Sequence, residues 1–250
     1  MSESKMGVAF VSGGSKGIGL AVVQGLQRRG YQVITCGRSR ENWQQALDHS
    51  PELADVEFHA IDLLQPQAIT ELFAQIRSCH GKLDVAVNNA SPAIASAGAF
   101  NGVPAEALLN TLMADLWVPT QCLQQELQLM TTGAAIVNIS SVNGLRPTPG
   151  AAMYSTAKHG LEGLTRSVAL EAIEHGIRIN AVAPGATWTP RSQQRMAGNS
   201  ALKAQTEQAI PIKRLAQAEE IAAAVLWLLS DQASYVVGHT LVVDGGLALR

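Results

Sequence analysis

The chain has 250 residues, 47% of them hydrophobic and 15% charged, with a formal net charge of -2 and a pI near 6.3. That composition supplies a large core and excludes a disordered chain. A balance so near neutrality sets up no field for nucleic acid or an anionic membrane, so neither is expected as a partner. Cys36, Cys79, Cys122 and the six histidines show no metal-ligand spacing; free thiols, no bound metal and a cytoplasmic location are expected. Residues 1–5 lack the pattern of a signal peptide, and no apolar run approaches the roughly 18 residues that span a bilayer.

Strand-length runs rich in Val and Ile are predicted at 8–12, 32–36, 56–61, 83–88, 134–140, 178–183 and 239–243. Their nearly continuous apolar character fits strands covered on both faces. Amphipathic helices are predicted between them at 19–29, 66–78, 115–130, 153–175 and 219–229. The alternation predicts an α/β, Rossmann-type fold: a doubly wound, parallel seven-stranded sheet with helices on both faces, in one domain over 1–250. Residues 186–215 break the rhythm, showing no clear strand and containing Trp188, Pro190, Arg191, Arg195, Gly198 and Asn199. A long segment after a strand end lies at the carboxyl edge of the sheet, so it is expected to form a substrate lid.

The first strand runs into Ser12-Gly13-Gly14-Ser15-Lys16-Gly17-Ile18-Gly19, and a helix follows. Glycines permit the tight turn and close approach of a pyrophosphate, and the helix N-terminus offers free N–H groups to it. Gly13, Ser15, Lys16, Gly17, Ile18 and Gly19 are therefore candidate cofactor contacts. The second strand ends Thr35-Cys36-Gly37-Arg38-Ser39, with no Asp or Glu in that stretch. An acidic residue there binds the ribose hydroxyls of NAD, whereas a cation accommodates the 2′-phosphate of NADP. Arg38 and Ser39, with Lys16 nearby, predict NADP(H).

Tyr154 and Lys158 are four residues apart in a predicted helix, so they share one face. A free phenol titrates near about 10, too high for an efficient base at neutrality, and a nearby ammonium favours the phenolate. Ser141 closes an apolar strand 13 residues before Tyr154, where its hydroxyl can meet a substrate oxygen.

The glycine loop, Asp62-Leu63, Asn88-Asn89-Ala90, Ser141, Tyr154 with Lys158, Pro184-Gly185 with Thr189, and Val243-Asp244-Gly245-Gly246 stand in one order. In these motifs, over nearly its whole length, the chain resembles the compact short-chain dehydrogenases/reductases. The resemblance implies that Tyr154 is the general acid in reduction and the base in oxidation, and that Lys158 holds the nicotinamide ribose and lowers the Tyr154 pKa. It implies that Ser141 polarises the carbonyl and that Asp62 and Leu63 flank the adenine. Asn88, Asn89 and Ala90 would lie along the cofactor, and Pro184, Gly185, Thr187 and Thr189 would line the nicotinamide side. The implied activity is interconversion of a carbonyl and a secondary alcohol. A relative that binds NADP(H) without turnover is the alternative.

Two positions depart from the family's pattern. Asp115 stands where the family usually has Asn, with Asn110 as the other candidate match, and a carboxylate beside Lys158 would offset part of its effect on Tyr154. Asp115 is therefore expected to belong to the catalytic group and to alter its pH dependence. Ser91 replaces the usual Gly and, with Pro92, stiffens a segment bordering the substrate. The substrate pocket is expected to be bordered by 92–94, 143–146, Met153, Trp188 and the lid from Arg191, with Arg146, Arg191 and Arg195 as candidates for an anionic group. By the same resemblance, Trp117 and the apolar face of 115–130 are expected to pack against another subunit, in a homotetramer or otherwise a homodimer.

Overall fold

The computed structural model describes residues 6–249. In chain order its strands are β1 (Gly7–Ser12), β2 (Tyr31–Gly37), β3 (Glu57–Ala60), β4 (Val85–Asn88), β5 (Ala135–Ile139), β6 (Arg178–Pro184), β7 (Thr187–Trp188), β8 (Ala216–Gln217) and β9 (Thr240–Val243). Seven of them form one sheet in the order β3-β2-β1-β4-β5-β6-β9, with every neighbour parallel. β5 and β6 are buried along their whole length, as strands covered on both faces must be.

The helices are α1 (Gly17–Arg28), α2 (Arg40–His49), α3 (Ala68–His80), α4 (Ala105–Leu112), α5 (Val118–Leu127), α6 (Ala152–Ile173), α7 (Pro190–Met196), α8 (Ser200–Ala209) and α9 (Ala218–Leu229). One core cluster joins Val22, Leu26, Trp43, Ile221 and Val225 to Val11 and Val137 of the sheet. A second joins Phe73, Ile76, Leu123 and Ala169 to Phe10, Ile34 and Ile136. Phe10 and Phe73 meet edge to face at 5.1 Å between centroids, an arrangement that favours aromatic quadrupoles.

The strand order reverses between β1 and β4, where Ser12 stands opposite Asn88. A crevice opens beyond the carboxyl ends of strands at such a point. Beneath it lies a buried polar chain. Asn88 Nδ2 donates to Glu126 Oε2 and to Asn138 Oδ1, each at 3.0 Å, and Asn138 Nδ2 donates to Thr165 Oγ1 at 2.9 Å. Complete burial pushes the Glu126 carboxyl up to about 8, so at neutral pH it is held mostly as the uncharged acid.

The structure corrects the sequence reading in several places. α2 and α4 were not predicted, and 186–215 contains α7, α8 and the two-residue strand β7 that pairs with β8. The α2 sequence RENWQQALDH buries only Trp43 and Ala46, too few apolar positions to mark a helix. The helix predicted at 115–130 is the far end of a longer rod. α4 passes through a π-helical turn, Met113–Trp117, into α5. Such wide turns interrupt the regular hydrogen-bond ladder and occur often at functional sites.

Candidate active site

At the end of β1 the chain turns through Gly13, at φ 72°, and Gly17, at φ 59°, both left-handed values that glycine alone adopts without strain. The loop is tight as well as bent. A Cβ on Gly19 would lie 2.3 Å from the Gly13 carbonyl oxygen, and one on Gly14 would lie 2.2 Å from Thr35 Oγ1. Thr35 Oγ1 fixes the turn by accepting from Gly14 N at 3.1 Å and donating to Val11 O at 2.6 Å. The N-cap of α1, Lys16, contributes no side-chain hydrogen bond, so the first-turn N–H groups are left for an anion.

A cavity of about 620 Å³ runs from this loop along the sheet edge. Lining it are Gly13, Ser15, Lys16, Gly17, Ile18, Arg38 and Ser39 at one end, then Asp62, Leu63, Asn89 and Ala90. Ser141, Tyr154, Lys158, Pro184, Gly185, Thr187 and Thr189 follow. The sequence-predicted contacts therefore share one space. Lys16 and Arg38 are exposed at the rim, and among the described residues no carboxylate pairs with either. The Ser39 hydroxyl caps α2 through Asn42 N and donates to Glu41, so its side chain is already engaged. Cys36 also borders the cavity; burial pushes its thiol up to about 12, which makes it a neutral wall and no nucleophile.

Asn88 is the exception. It is buried and turned into the polar chain below the sheet, and Asn89 takes the cavity position. Asn89 Nδ2 donates to Ser12 O and Gly13 O, at 3.1 and 3.0 Å, and so braces the glycine loop. Asp62 Oδ1 accepts from Leu64 N at 3.1 Å, which sets the turn that brings Leu63 to the cavity.

α6 carries Tyr154 and Lys158, and the Lys158 ammonium lies 5.5 Å from the Tyr154 ring centroid. Lys158 Nζ donates to Ile139 O at 3.1 Å and stands 3.4 Å from Asp115 Oδ1, with the lysine side chain 3% and the aspartate 1% exposed. Asn110 is exposed on α4, so Asp115 is the residue that reaches the lysine. The fit around this pair is close. A Cβ on Gly144 would lie 2.9 Å from the Lys158 backbone carbon, and one on Gly160 would lie 3.0 Å from Leu116. Ser141, at the end of β5, accepts from Asn143 N at 3.1 Å, which leaves its hydroxyl hydrogen free to donate.

On the far side, Thr189 caps α7 in a reciprocal box with Ser192 and lies over the loop, where a Cβ on Gly17 would meet Thr189 Cγ2 at 3.3 Å. Thr187 Oγ1 donates to Gly185 O at 3.0 Å. Pro92, Ala93, Ile94, Asn143, Arg191 and Arg195 border the cavity as expected. Arg146, Met153 and Trp188 do not. Arg146 Nη1 donates to Leu247 O at 3.1 Å, and Trp188 sits in a separate depression under Lys203, 5.1 Å from its ring. Among the described residues no group of three potential ligands is placed to hold a metal ion, and no helix is long and apolar enough to cross a membrane.

A glycine-floored crevice joined to a tyrosine and lysine on one helix defines a dinucleotide-type oxidoreductase site. Residues 13–248 match the family model described as enoyl-(acyl carrier protein) reductase. The chain is 37% identical over 259 residues to an acetoacetyl-CoA reductase of Acinetobacter sp. (strain RA3849), covering 100% of both. It is 34% identical over 261 residues to a 3beta-hydroxysteroid dehydrogenase of Mediterraneibacter gnavus, covering 96% of this chain and 94% of that one. A point variant of the actinorhodin polyketide ketoreductase, solved with NADPH, superposes with a TM-score of 0.89 at 29% identity, over 98% of each chain. The chain belongs to the short-chain dehydrogenase/reductase family and is an oxidoreductase.

Proposed function

We propose that this oxidoreductase interconverts a carbonyl and a secondary alcohol with NADP(H), using Tyr154 as general acid and base. The observation that carries the reading is the single cavity shared by the glycine loop, Arg38, Ser141, Tyr154 and Lys158. The loop suits a pyrophosphate because side chains beyond glycine would fill it and the N–H groups of α1 are uncapped. Lys16 and Arg38 suit a 2′-phosphate, and the ketoreductase of similar fold was solved with NADPH. When bound, NADP(H) supplies or accepts the hydride.

The protein's own part is position, charge and the proton. Ser141 donates its hydroxyl hydrogen to the substrate oxygen and orients it. In reduction Tyr154 gives its phenolic proton to that oxygen; in oxidation the phenolate takes a proton from the alcohol. Lys158 holds its ammonium 5.5 Å from the Tyr154 ring centroid and would hold the nicotinamide ribose. Asp62 and Leu63 would border the adenine, with Asn89 and Ala90 further along the cofactor. Pro184, Gly185, Thr187 and Thr189 would border the nicotinamide.

The whole chain acts as one catalytic domain, with 186–215 as its lid. The cytoplasm is the proposed location, supported by three free cysteines. A homotetramer, or failing that a homodimer, is supported by the exposed apolar residues Leu109, Trp117, Leu170 and Ile173 on α4, the π turn and α6. An NADPH-oxidation screen over diverse ketones tests the reading. Activity on at least one ketone should fall about a thousandfold in Tyr154→Phe, with NADPH affinity kept. Activity that survives the substitution overturns the mechanism.

A further inference from the structure

Ser91 and Asp115 are 24 positions apart in the chain, and they meet. Ser91 Oγ donates to Asp115 Oδ1 at 2.6 Å, and that same oxygen is the one 3.4 Å from Lys158 Nζ. The two distances rank the partners. The hydroxyl makes a short, charge-assisted hydrogen bond, whereas the ammonium stands outside hydrogen-bond contact distance for a close N⁺–H···O⁻ pair. The nearer acceptor of Lys158 is Ile139 O at 3.1 Å.

A carboxylate buried beside a catalytic ammonium has a default outcome. With so little water at either group, the two close into a tight pair and the cation's field at its other neighbours is largely cancelled. Something must hold Asp115 back. Ser91 is placed to do so because it occupies the shared oxygen. Its backbone is fixed by the following Pro92, and its carbonyl accepts from the Arg191 guanidinium of α7.

We propose that Ser91 is a positioning residue for the reaction: its hydroxyl restrains the Asp115 carboxylate, so that Lys158 keeps its charge directed at Tyr154 and the cofactor ribose. This rests on the roles given above to Tyr154 and Lys158. Through Arg191, one residue then links the first turn of α7 to the counter-ion of the lysine. Ser91 touches the lysine only through Asp115.

The test is a suppressor experiment. In Ser91→Ala the carboxylate is free to close on Lys158, and kcat should fall about tenfold with KM for the ketone little changed. Ser91→Thr keeps the hydroxyl and should lose less. Adding Asp115→Asn to Ser91→Ala removes the charge that closes the pair and should recover most of the lost kcat, which no merely structural role for Ser91 predicts. A second readout needs no turnover: the lysine ammonium resonance of Lys158 in ¹H–¹⁵N NMR should move in Ser91→Ala and return toward wild type in the double variant. If Ser91→Ala does not fold, Ser91→Gly takes its place in each assay. An unchanged kcat and resonance in the hydroxyl-free variant, or a double variant no better than it, overturns the proposal. Tyr154→Phe separates the two levels: activity surviving that change refutes the mechanism itself, whereas a failed suppressor with an inactive Tyr154→Phe refutes only the part given to Ser91.

Discussion

Replacing Glu126 by glutamine should make the protein progressively more stable than the wild type as pH rises from about 4 to about 8. Glu126 is fully buried, accepts one hydrogen bond from Asn88 and leaves Oε1 without a partner. Its carboxyl titrates at about 8 in the fold because burial penalises the charge. In the unfolded chain the same group titrates near about 4.3. Between those two values the folded state binds the extra proton, so stability falls as pH rises across that window and levels off above it. At about 1.4 kcal/mol per unit, the deficit is about 3–4 kcal/mol at pH 7 and about 5 kcal/mol above pH 8. Glutamine has the shape of the protonated acid and never ionises. Urea unfolding of both proteins at pH 5, 7 and 9 measures the difference directly. The unfolding free energy of the glutamine variant should exceed that of the wild type by a margin that grows steadily from pH 5 to 8 and reaches about 5 kcal/mol at pH 9. Curves that stay parallel over the whole range would refute the argument that burial keeps Glu126 neutral.

Two further outcomes concern the cofactor. Gly19→Ala puts a methyl group 2.3 Å from the Gly13 carbonyl, so the loop must open. NADPH affinity measured by fluorescence should fall at least about tenfold, a loss of about 1.4 kcal/mol, while far-ultraviolet circular dichroism is unchanged. Arg38→Ser removes an exposed rim cation proposed to meet the 2′-phosphate. The ratio of kcat/KM for NADPH over NADH should drop about 10- to 100-fold, the value of one or two charge-assisted hydrogen bonds.

Local features of the site were readable in the sequence because local geometry sets them. A tyrosine and a lysine four apart share a helix face wherever the helix lies, and a glycine loop between strand and helix carries its own stereochemistry. Asn88 and Asn89 are indistinguishable as residue types, and only the packing of β4 shows that the first turns into the buried polar chain and the second borders the cavity. Contacts set by tertiary packing left no such trace. Arg146 is captured by Leu247, 101 positions away, and Ser91 finds Asp115 through the packing of a loop on a helix. The extra width of the π turn at Met113–Trp117 likewise has no marker in its residues MADLW. The polar helix α2 was missed for lack of an apolar stripe, and it is held by the Ser39 cap and by Trp43 stacked on Phe58 at 4.9 Å.

The π turn has a mechanical consequence. Its five residues present Asp115 to the interior, against Lys158, and Trp117 to the outside, where the indole is 49% exposed. The two side chains are separated by a single residue, Leu116, which is itself wedged against Gly160, two residues along α6 from the lysine. The segment is a short lever with the working group at one end and a handle in solvent at the other. Whatever presses on Trp117, a second subunit included, pushes on the backbone that holds the lysine's counter-ion. Were a second subunit to pack on Trp117, as proposed above, assembly would bear on the same five residues that hold Asp115 beside Lys158.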